Sequence, residues 1–117
     1  MTFKWKKLYD VGEHLRKYSN KEEYQRSAVG RYYYACYLVA RDIYNIRLKR
    51  PNGESISHYA LIDFFEKSKS KKERELGKIL RELKNFRNNA DYDVNFNVDN
   101  ASISKEHSKL FYLILRK

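Results

Sequence analysis

The chain has 117 residues, which is room for one domain (residues 1–117) built around one core. Glycine (4) and proline (1) are too scarce for the turns of an all-β fold, and a single cysteine excludes an intrachain disulfide. Lys and Arg number 25 against 15 Asp and Glu, and the net charge of +10 favours nucleic acid, nucleotides or an acidic protein as partner. A lysine-rich solubility surface is the alternative explanation of this charge.

The location of the protein follows from two further features of the sequence. The first seven residues lack the apolar run of a secretory signal, and no segment approaches the 18 apolar residues of a membrane span. One unpaired cysteine fits a reducing compartment. We therefore expect a cytoplasmic protein that does not enter a membrane.

Helical periodicity begins close to the N-terminus. Apolar residues at helical spacing predict a first helix from about Phe3 to Tyr18. Asn20 with Glu23 has the pattern of a capping box and predicts a second helix that runs to about Ile46. This helix is apolar on two sides, so it is either the central helix of a bundle or is also buried against another subunit.

The middle of the chain contains the one obvious loop, residues 47–57, which the Pro-Asn-Gly sequence of residues 51–53 marks. A short third helix over residues 58–67 follows it. Ser70 with Glu73 is a second capping-box pattern and predicts the start of a fourth helix.

The fourth helix is expected to end near Asn88 or Asn89, because asparagine tolerates the left-handed conformation of a helix C-terminus. Residues 93–100 alternate polar and apolar but have no second strand to pair with, so they are interpreted as an extended connector. Ser104 is the predicted cap of a last helix. The sequence thus predicts an all-α fold, an up-and-down bundle of four to five helices.

One charged side chain ends the apolar side of the fourth helix. Four residues at helical spacing lie close to one line: Leu76, Leu80, Leu83 and Arg87. Arg87 must therefore be paired or must point into a polar cleft, and Asp91 and Asp93 are near enough in sequence to pair with it. The alternative to a functional site is a structural ion pair of Arg87 with Asp91 that stabilises the helix end.

Four segments in a fixed order give the chain a family resemblance. They are Trp5 on the first helix, the Arg-Ser-Ala-Val-Gly-Arg-Tyr-Tyr-Tyr-Ala run of residues 26–35, Ser57-His58, and the Arg-Asn-Asn-Ala-Asp-Tyr-Asp run of residues 87–93. Together they resemble the HEPN superfamily of small helical proteins, many of which cut RNA. The resemblance covers most of the chain, from about Trp5 to the final helix, and implies a HEPN-like bundle.

The resemblance implies a site at the end of the fourth helix. RNA-cutting members carry an arginine, a polar neighbour and a histidine four to six residues further on. They work without a metal: the RNA 2′-hydroxyl attacks the adjacent phosphate, the arginine holds the phosphate charge and the histidine moves the proton. In this sequence Arg87 matches the arginine, Asn88 the polar neighbour and Tyr92 the histidine, while Asp91 is an alternative base.

The tyrosine decides between two expectations. An unperturbed tyrosine has a pKa of about 10, so using its ionised form as a base at pH 7 costs roughly 4 kcal/mol. Cleavage through Tyr92 therefore needs nearby cations such as Arg87 to lower that pKa. Without them, the same residues are expected to bind RNA or a partner and not to cleave.

Further candidate residues surround this site. The resemblance implies that Arg26 and Arg31 flank the site and are candidates for binding phosphate; the alternative is that they pair with Asp42, Glu22 or the acidic residues near Arg87. His58 either hydrogen-bonds inside the bundle or reaches the Arg87 site. No cysteine or histidine has ligand spacing, so we expect neither a metal nor a cofactor.

Three functions remain open at this point. The first is a homodimeric protein acting on RNA or nucleotides in a prokaryotic toxin–antitoxin or defence system, with a metal-independent ribonuclease site. The second is a non-catalytic HEPN module that binds nucleic acid or a nucleotidyltransferase-type antitoxin partner. The third is an unrelated basic bundle, which predicts nothing special about Arg87.

Overall fold

The computed structural model describes residues 3–117, and these form five helices. They are α1 (Lys7–Tyr18), α2 (Glu22–Arg47), α3 (His58–Glu66), α4 (Lys71–Tyr92) and α5 (Asp99–Leu115). Residues 3–117 contain no β-strand, and none of these helices is long and apolar enough to cross a membrane. The prediction of an all-α fold with four to five helices is confirmed.

Helix α2 is the central helix of the bundle and contacts all four others. Its apolar residues are buried on both sides, as the sequence predicted for a central helix. The fully or almost fully buried set includes Ala28, Tyr32, Tyr33, Ala35, Cys36, Tyr37 and Ala40. Burial of both sides against other helices of the same chain accounts for the pattern without another subunit.

The loop between α2 and α3 sets the direction of the second half of the chain. It is held to α2 by two hydrogen bonds: the Tyr37 hydroxyl donates to the Ile56 carbonyl (2.8 Å), and Asn45 Nδ2 donates to the Glu54 carbonyl (3.0 Å). The loop returns the chain along the bundle, so α3 runs parallel to α2, with His58 beside Tyr33. Helix α4 then runs antiparallel to α2, and the start of α2 meets the end of α4.

Two predicted helix starts are wrong. Helix α1 begins at Lys7 and not at Phe3, because residues 5–6 form a turn before it. The capping box at Asn20 does not form: α2 begins after Lys21, which makes no side-chain cap. Gln25 instead connects α2 to the end of α1, because its Nε2 donates to the carbonyls of Arg16 (2.9 Å) and Ser19 (2.7 Å).

The start of α4 is as predicted, and its end is not. The Ser70 hydroxyl accepts from the backbone N–H of Glu73 (3.3 Å), as the capping pattern predicted. The helix does not stop at Asn88 or Asn89 but continues to Tyr92. A side chain from α2, described below, binds the carbonyl groups at this end and supports the extra turn.

The start of α5 is also earlier than predicted. Ser104 does not cap the helix; it lies within the helix and is fully buried. The helix begins at Asp99, and the backbone N–H of Asp99 donates a hydrogen bond to Asn97 Oδ1 (2.9 Å). The connector between α4 and α5 is therefore residues 93–98, without a strand, and the early start lets Ala101 pack against Val29.

Candidate functional site

Arg87 and Asp91 lie one turn apart near the end of α4. Leu76, Leu80 and Leu83 are buried along the same side of the helix, so Arg87 ends this apolar row as predicted. Arg87 Nε lies 2.8 Å from Asp91 Oδ2, and the Arg87 side chain is only 18% exposed. The N–H does not point at the carboxylate, so the contact is an ion pair without a hydrogen bond.

A shallow pocket of about 230 Å³ opens beside this ion pair, between α2 and α4. Six residues line it: Ser27, Gly30, Arg31, Tyr34, Arg87 and Asp91. We call it the Arg31–Arg87 pocket. Arg31 is exposed and makes no ion pair or hydrogen bond with any residue between 3 and 117. Gly30 leaves the pocket wall open, since a Cβ built there would meet no atom within 4 Å.

Tyr34 supports the Arg87 guanidinium from the α2 side. The guanidinium carbon lies 5.4 Å from the centre of the Tyr34 ring, within the range of a cation–π contact. Tyr92, on α4 itself, makes a second contact of this kind: its ring centre lies 5.8 Å from the Arg87 guanidinium carbon. The arginine is thus held by an ion pair and two rings, and its outer nitrogen atoms make no hydrogen bond with any residue between 3 and 117.

His58 is close to this cluster but does not line the pocket. Its ring stacks on Tyr37 at 4.2 Å, and its Nδ1 hydrogen-bonds the Tyr33 hydroxyl. Burial, and then the charges of Lys84 and Arg87, lower the pKa of His58 to about 4. The histidine is therefore neutral at pH 7 and has the hydrogen-bonded position inside the bundle that was one of its two predicted roles.

Asn88 and Tyr92, the other two predicted catalytic residues, lie at the edge of the site. Asn88 Oδ1 accepts from Lys84 Nζ (3.1 Å), and Tyr92 is 75% exposed. Neither side chain lines the pocket. Of the residues that the sequence singled out, the structure brings together Arg31, Arg87 and Asp91.

Arg26 lies behind the pocket and binds the end of α4. Its Nη1 donates to the carbonyls of Ala90 (2.8 Å) and Asp93 (2.7 Å), and its Nη2 donates to Val94 (3.0 Å). Its Nε donates to Glu22 (3.0 Å), the pairing that was the alternative to phosphate binding. These bonds occupy four of the five N–H donors of Arg26, so it positions α4 and the connector.

The sequence reasoning missed several residues of this region. Lys84 lies on the same side of α4 as Arg87, Asn88 and Asp91, and burial together with the charge of Arg87 lowers its pKa. Ser27, Gly30 and Tyr34 lie on the side of α2 that carries Arg31. Helical spacing from Arg31 and Arg87 would have found Ser27, Tyr34 and Lys84, because neighbours on a helix side lie three or four positions apart, and the same spacing from Ser27 and Tyr34 then gives Gly30.

Between residues 3 and 117, no group of three or more His, Cys, Asp or Glu side chains is arranged to hold a metal ion. The single cysteine, Cys36, is buried, and burial raises its pKa to about 12. Its thiol is therefore protonated at neutral pH.

The chain is similar to a longer archaeal protein. The chain is 33% identical to the uncharacterized protein MJ0628 of Methanocaldococcus jannaschii, over 67% of this chain and 55% of that protein. The chain thus spans about half the length of that relative, whose name states no activity. No protein-family profile matches the chain, and no solved structure matches it.

Proposed function

We propose that this protein is a HEPN-like, RNA-directed protein of a prokaryotic toxin–antitoxin or defence system, and that the Arg31–Arg87 pocket binds an RNA or nucleotide phosphate. The observation that carries the proposal is that Arg31 and Arg87, from different helices, line one pocket beside Tyr34. Two guanidinium groups at one opening suit a phosphate, because each offers paired N–H donors and a permanent charge.

The surroundings of the pocket support RNA as the source of the phosphate. The net charge of +10 attracts a polyanion, and the most exposed large aromatic side chains are Tyr18, Tyr59 and Tyr92. Tyr92 lies directly beside Arg87. Exposed aromatic rings stack on unpaired bases with little sequence preference, which favours single-stranded RNA.

Two versions of this function remain, and they differ in catalysis. In the first, Arg87 holds the phosphate while Tyr92, with Asn88 and Asp91, moves the proton of the attacking RNA 2′-hydroxyl to the leaving 5′-oxygen of the next nucleotide. The bond from phosphorus to that 5′-oxygen breaks, and the products are a 2′,3′-cyclic phosphate end and a 5′-hydroxyl end. In the second, the module binds without cleaving and works with a nucleotidyltransferase-type partner. The lack of a histidine in the pocket lining, with His58 hydrogen-bonded elsewhere, favours the second. Both versions include a homodimer.

The test of the binding proposal is the affinity for a labelled single-stranded RNA, measured by fluorescence anisotropy at several salt concentrations. Arg31→Ala and Arg87→Ala should each weaken binding by about tenfold or more, because each removes a charged hydrogen-bond donor. The salt dependence should fall by about one unit of slope for each variant. The double variant Lys78→Ala/Lys117→Ala removes the same charge as Arg31→Ala/Arg87→Ala from the exposed α4/α5 side and serves as the matched control.

The outcomes separate the readings. Equal loss in the control pair and the arginine pair would overturn the pocket and leave only a non-specific basic surface. If the pocket binds, the same RNA is incubated in EDTA and its ends are analysed. Cyclic-phosphate ends that disappear with Arg87→Ala and Tyr92→Phe would establish the ribonuclease version. Tight binding without cleavage by the wild type would leave the binding module.

A further inference from the structure

A second pocket lies between the start of α1 and the end of α5. Six residues line it: Lys6, Tyr9, Lys109, Tyr112, Leu113 and Arg116. We call it the α1/α5 pocket. It has a volume of about 270 Å³, at the small end of the roughly 300–1,000 Å³ that is usual for small-molecule sites. None of its residues lines the Arg31–Arg87 pocket.

The two aromatic side chains of the α1/α5 pocket are fixed in place. The Tyr112 hydroxyl donates to the carbonyl of Ala35 on α2, and burial raises the pKa of Tyr112. The Tyr9 ring packs edge-on against Tyr32 with ring centres 5.4 Å apart. Two neutral rings held in this way form a preorganised surface for a flat aromatic ligand, because little side-chain freedom is lost on binding.

The charged residues of the α1/α5 pocket are all cationic. Lys6, Lys109 and Arg116 are exposed, and none makes an ion pair with a carboxylate between residues 3 and 117. Lys6 Nζ lies 5.6 Å from the centre of the Tyr112 ring. By contrast, the neighbouring Lys105 lies outside the pocket and is paired with Glu13 (3.7 Å).

Acidic residues lie near Tyr9. Burial and the charge of Glu13 raise the pKa of Tyr9, with smaller contributions from Glu106 and Asp10. None of these carboxylates lines the pocket. An anionic group would therefore be placed at the end formed by α5, next to Lys109 and Arg116, and the uncharged part of the ligand next to Tyr9.

We propose that the α1/α5 pocket binds a nucleoside monophosphate, with the base stacked on the tyrosine rings and the phosphate held by Lys109, Arg116 and Lys6. Stacking requires only a flat π-face, so the pocket accepts different bases. The phosphate supplies an anionic partner for the three cations, which have none among the carboxylates of residues 3–117. A free nucleotide and one nucleotide of an RNA strand share this chemistry.

The experiment is calorimetric titration of the full chain with adenosine 5′-monophosphate, uridine 5′-monophosphate and ribose 5-phosphate. Both nucleotides should bind at least about fivefold more tightly than ribose 5-phosphate, which has no base to stack. Lys109→Ala/Arg116→Ala should weaken nucleotide binding by about tenfold or more. Lys78→Ala/Lys117→Ala, with the same loss of charge, should stay within about twofold of the wild type, since neither residue lines this pocket.

Four results would overturn the proposal. The first two are equal affinity for ribose 5-phosphate and the nucleotides, and a loss of nucleotide affinity in the control pair equal to that in Lys109→Ala/Arg116→Ala. The others are dependence of nucleotide binding on Arg31 and Arg87 in place of Lys109 and Arg116, and absence of binding at millimolar nucleotide. A short oligoadenylate distinguishes the two sources: tighter, Lys109- and Arg116-dependent binding of the strand identifies RNA, and equal or weaker binding identifies the free nucleotide.

The test does not depend on the Arg31–Arg87 pocket. Arg31→Ala/Arg87→Ala should weaken the RNA binding proposed above by at least the tenfold expected of each single variant and leave mononucleotide affinity within about twofold. If that double variant keeps the RNA affinity of the wild type while Lys109→Ala/Arg116→Ala loses nucleotide binding, the proposed function fails and the α1/α5 pocket stands.

Discussion

Two glycines inside helices are expected to respond in opposite directions to the same substitution. Gly30 lies within α2 and Gly77 within α4. Alanine in place of a glycine inside a helix stabilises it by about 0.5–1 kcal/mol, because the unfolded chain loses conformational freedom. This gain is common to both positions, so any difference between the two variants reports the space around the new methyl group.

The structure gives that space. A Cβ at Gly30 meets nothing within 4 Å, whereas a Cβ at Gly77 would lie 2.7 Å from the backbone nitrogen of Glu66 and 3.0 Å from the carbonyl carbon of Phe65. Backbone atoms cannot rotate away, so α3 and α4 must separate. Overpacking of this kind costs about 1–3 kcal/mol, which exceeds the helix gain.

We therefore expect Gly30→Ala to raise the free energy of unfolding by about 0.5–1 kcal/mol and Gly77→Ala to lower it by about 1–2 kcal/mol. Urea unfolding followed by circular dichroism measures both, with equal m-values as the check that the unfolded states are comparable. A Gly77→Ala protein as stable as Gly30→Ala would refute the close contact of α3 with α4 at this point.

Three further predictions concern the end of α4 and the groups beside it. Arg26→Ala should lower the free energy of unfolding by about 1–3 kcal/mol and speed amide hydrogen exchange in residues 93–98, since charged hydrogen bonds to carbonyls are lost; unchanged exchange would contradict this role. Asp91→Asn should tighten RNA binding severalfold in the anisotropy assay, because the Asp91 carboxylate then no longer competes with phosphate for Arg87. Weaker RNA binding by this variant would mean that Asp91 positions the arginine. The pKa of His58 is about 4 in the folded protein, against about 6.5 when unfolded, so the unfolded state binds more protons and stability falls as the pH drops from about 6.5 to about 4. Solvent around the partly accessible ring keeps this loss below about 3 kcal/mol. Urea unfolding of His58→Gln is the comparison that decides it: the variant should lose less stability than the wild type over that interval, and what it still loses comes from carboxylates such as Glu13 and Glu73, whose pKa values are lowered by folding.

The helices of this chain were predictable because their apolar periodicity is strong, but two of their ends depend on other parts of the chain. Asn88 and Asn89 looked like the end of α4, yet Arg26 supplies donors to the carbonyls beyond them from a helix 60 or more residues earlier in the chain. No local pattern encodes that contact. Ser104 looked like a cap, but Ala101 buries against Val29, and this packing favours an earlier start of α5.

The same extension of α4 explains why the candidate site was only partly predictable. Arg87 and Asp91 are four residues apart and face the same side of any helix, so their pairing followed from spacing. Tyr92 was placed in the site by its position in a linear motif. Because the helix continues to Tyr92, the five-residue step places the two side chains about 140° apart around the axis. The Tyr92 ring still reaches the Arg87 guanidinium carbon at 5.8 Å, but it is mostly exposed and does not line the pocket.

Whether the Arg87–Asp91 pair is purely structural can be decided from Arg31. A structural ion pair needs one arginine and one aspartate, and Arg31 is then an unrelated exposed residue whose loss affects nothing. A phosphate site needs both arginines. Asp91 neutralises the charge of one of them, and the charge of the other gives the residues that line the pocket a net charge of +1. The two readings therefore differ in what Arg31→Ala does, and stability and binding must be measured separately.

We expect Arg31→Ala to leave the free energy of unfolding within about 0.5 kcal/mol of the wild type, as for an ordinary surface substitution, and to weaken RNA binding about tenfold. Arg87→Ala should lower both, because its guanidinium also packs on Tyr34 and Tyr92. In a double-mutant cycle the two arginines should be coupled in binding and additive in stability. Coupling in stability with additive effects on binding would reverse the assignment and make the pair part of the scaffold, because residues that share no ligand have no reason to be coupled when that ligand binds.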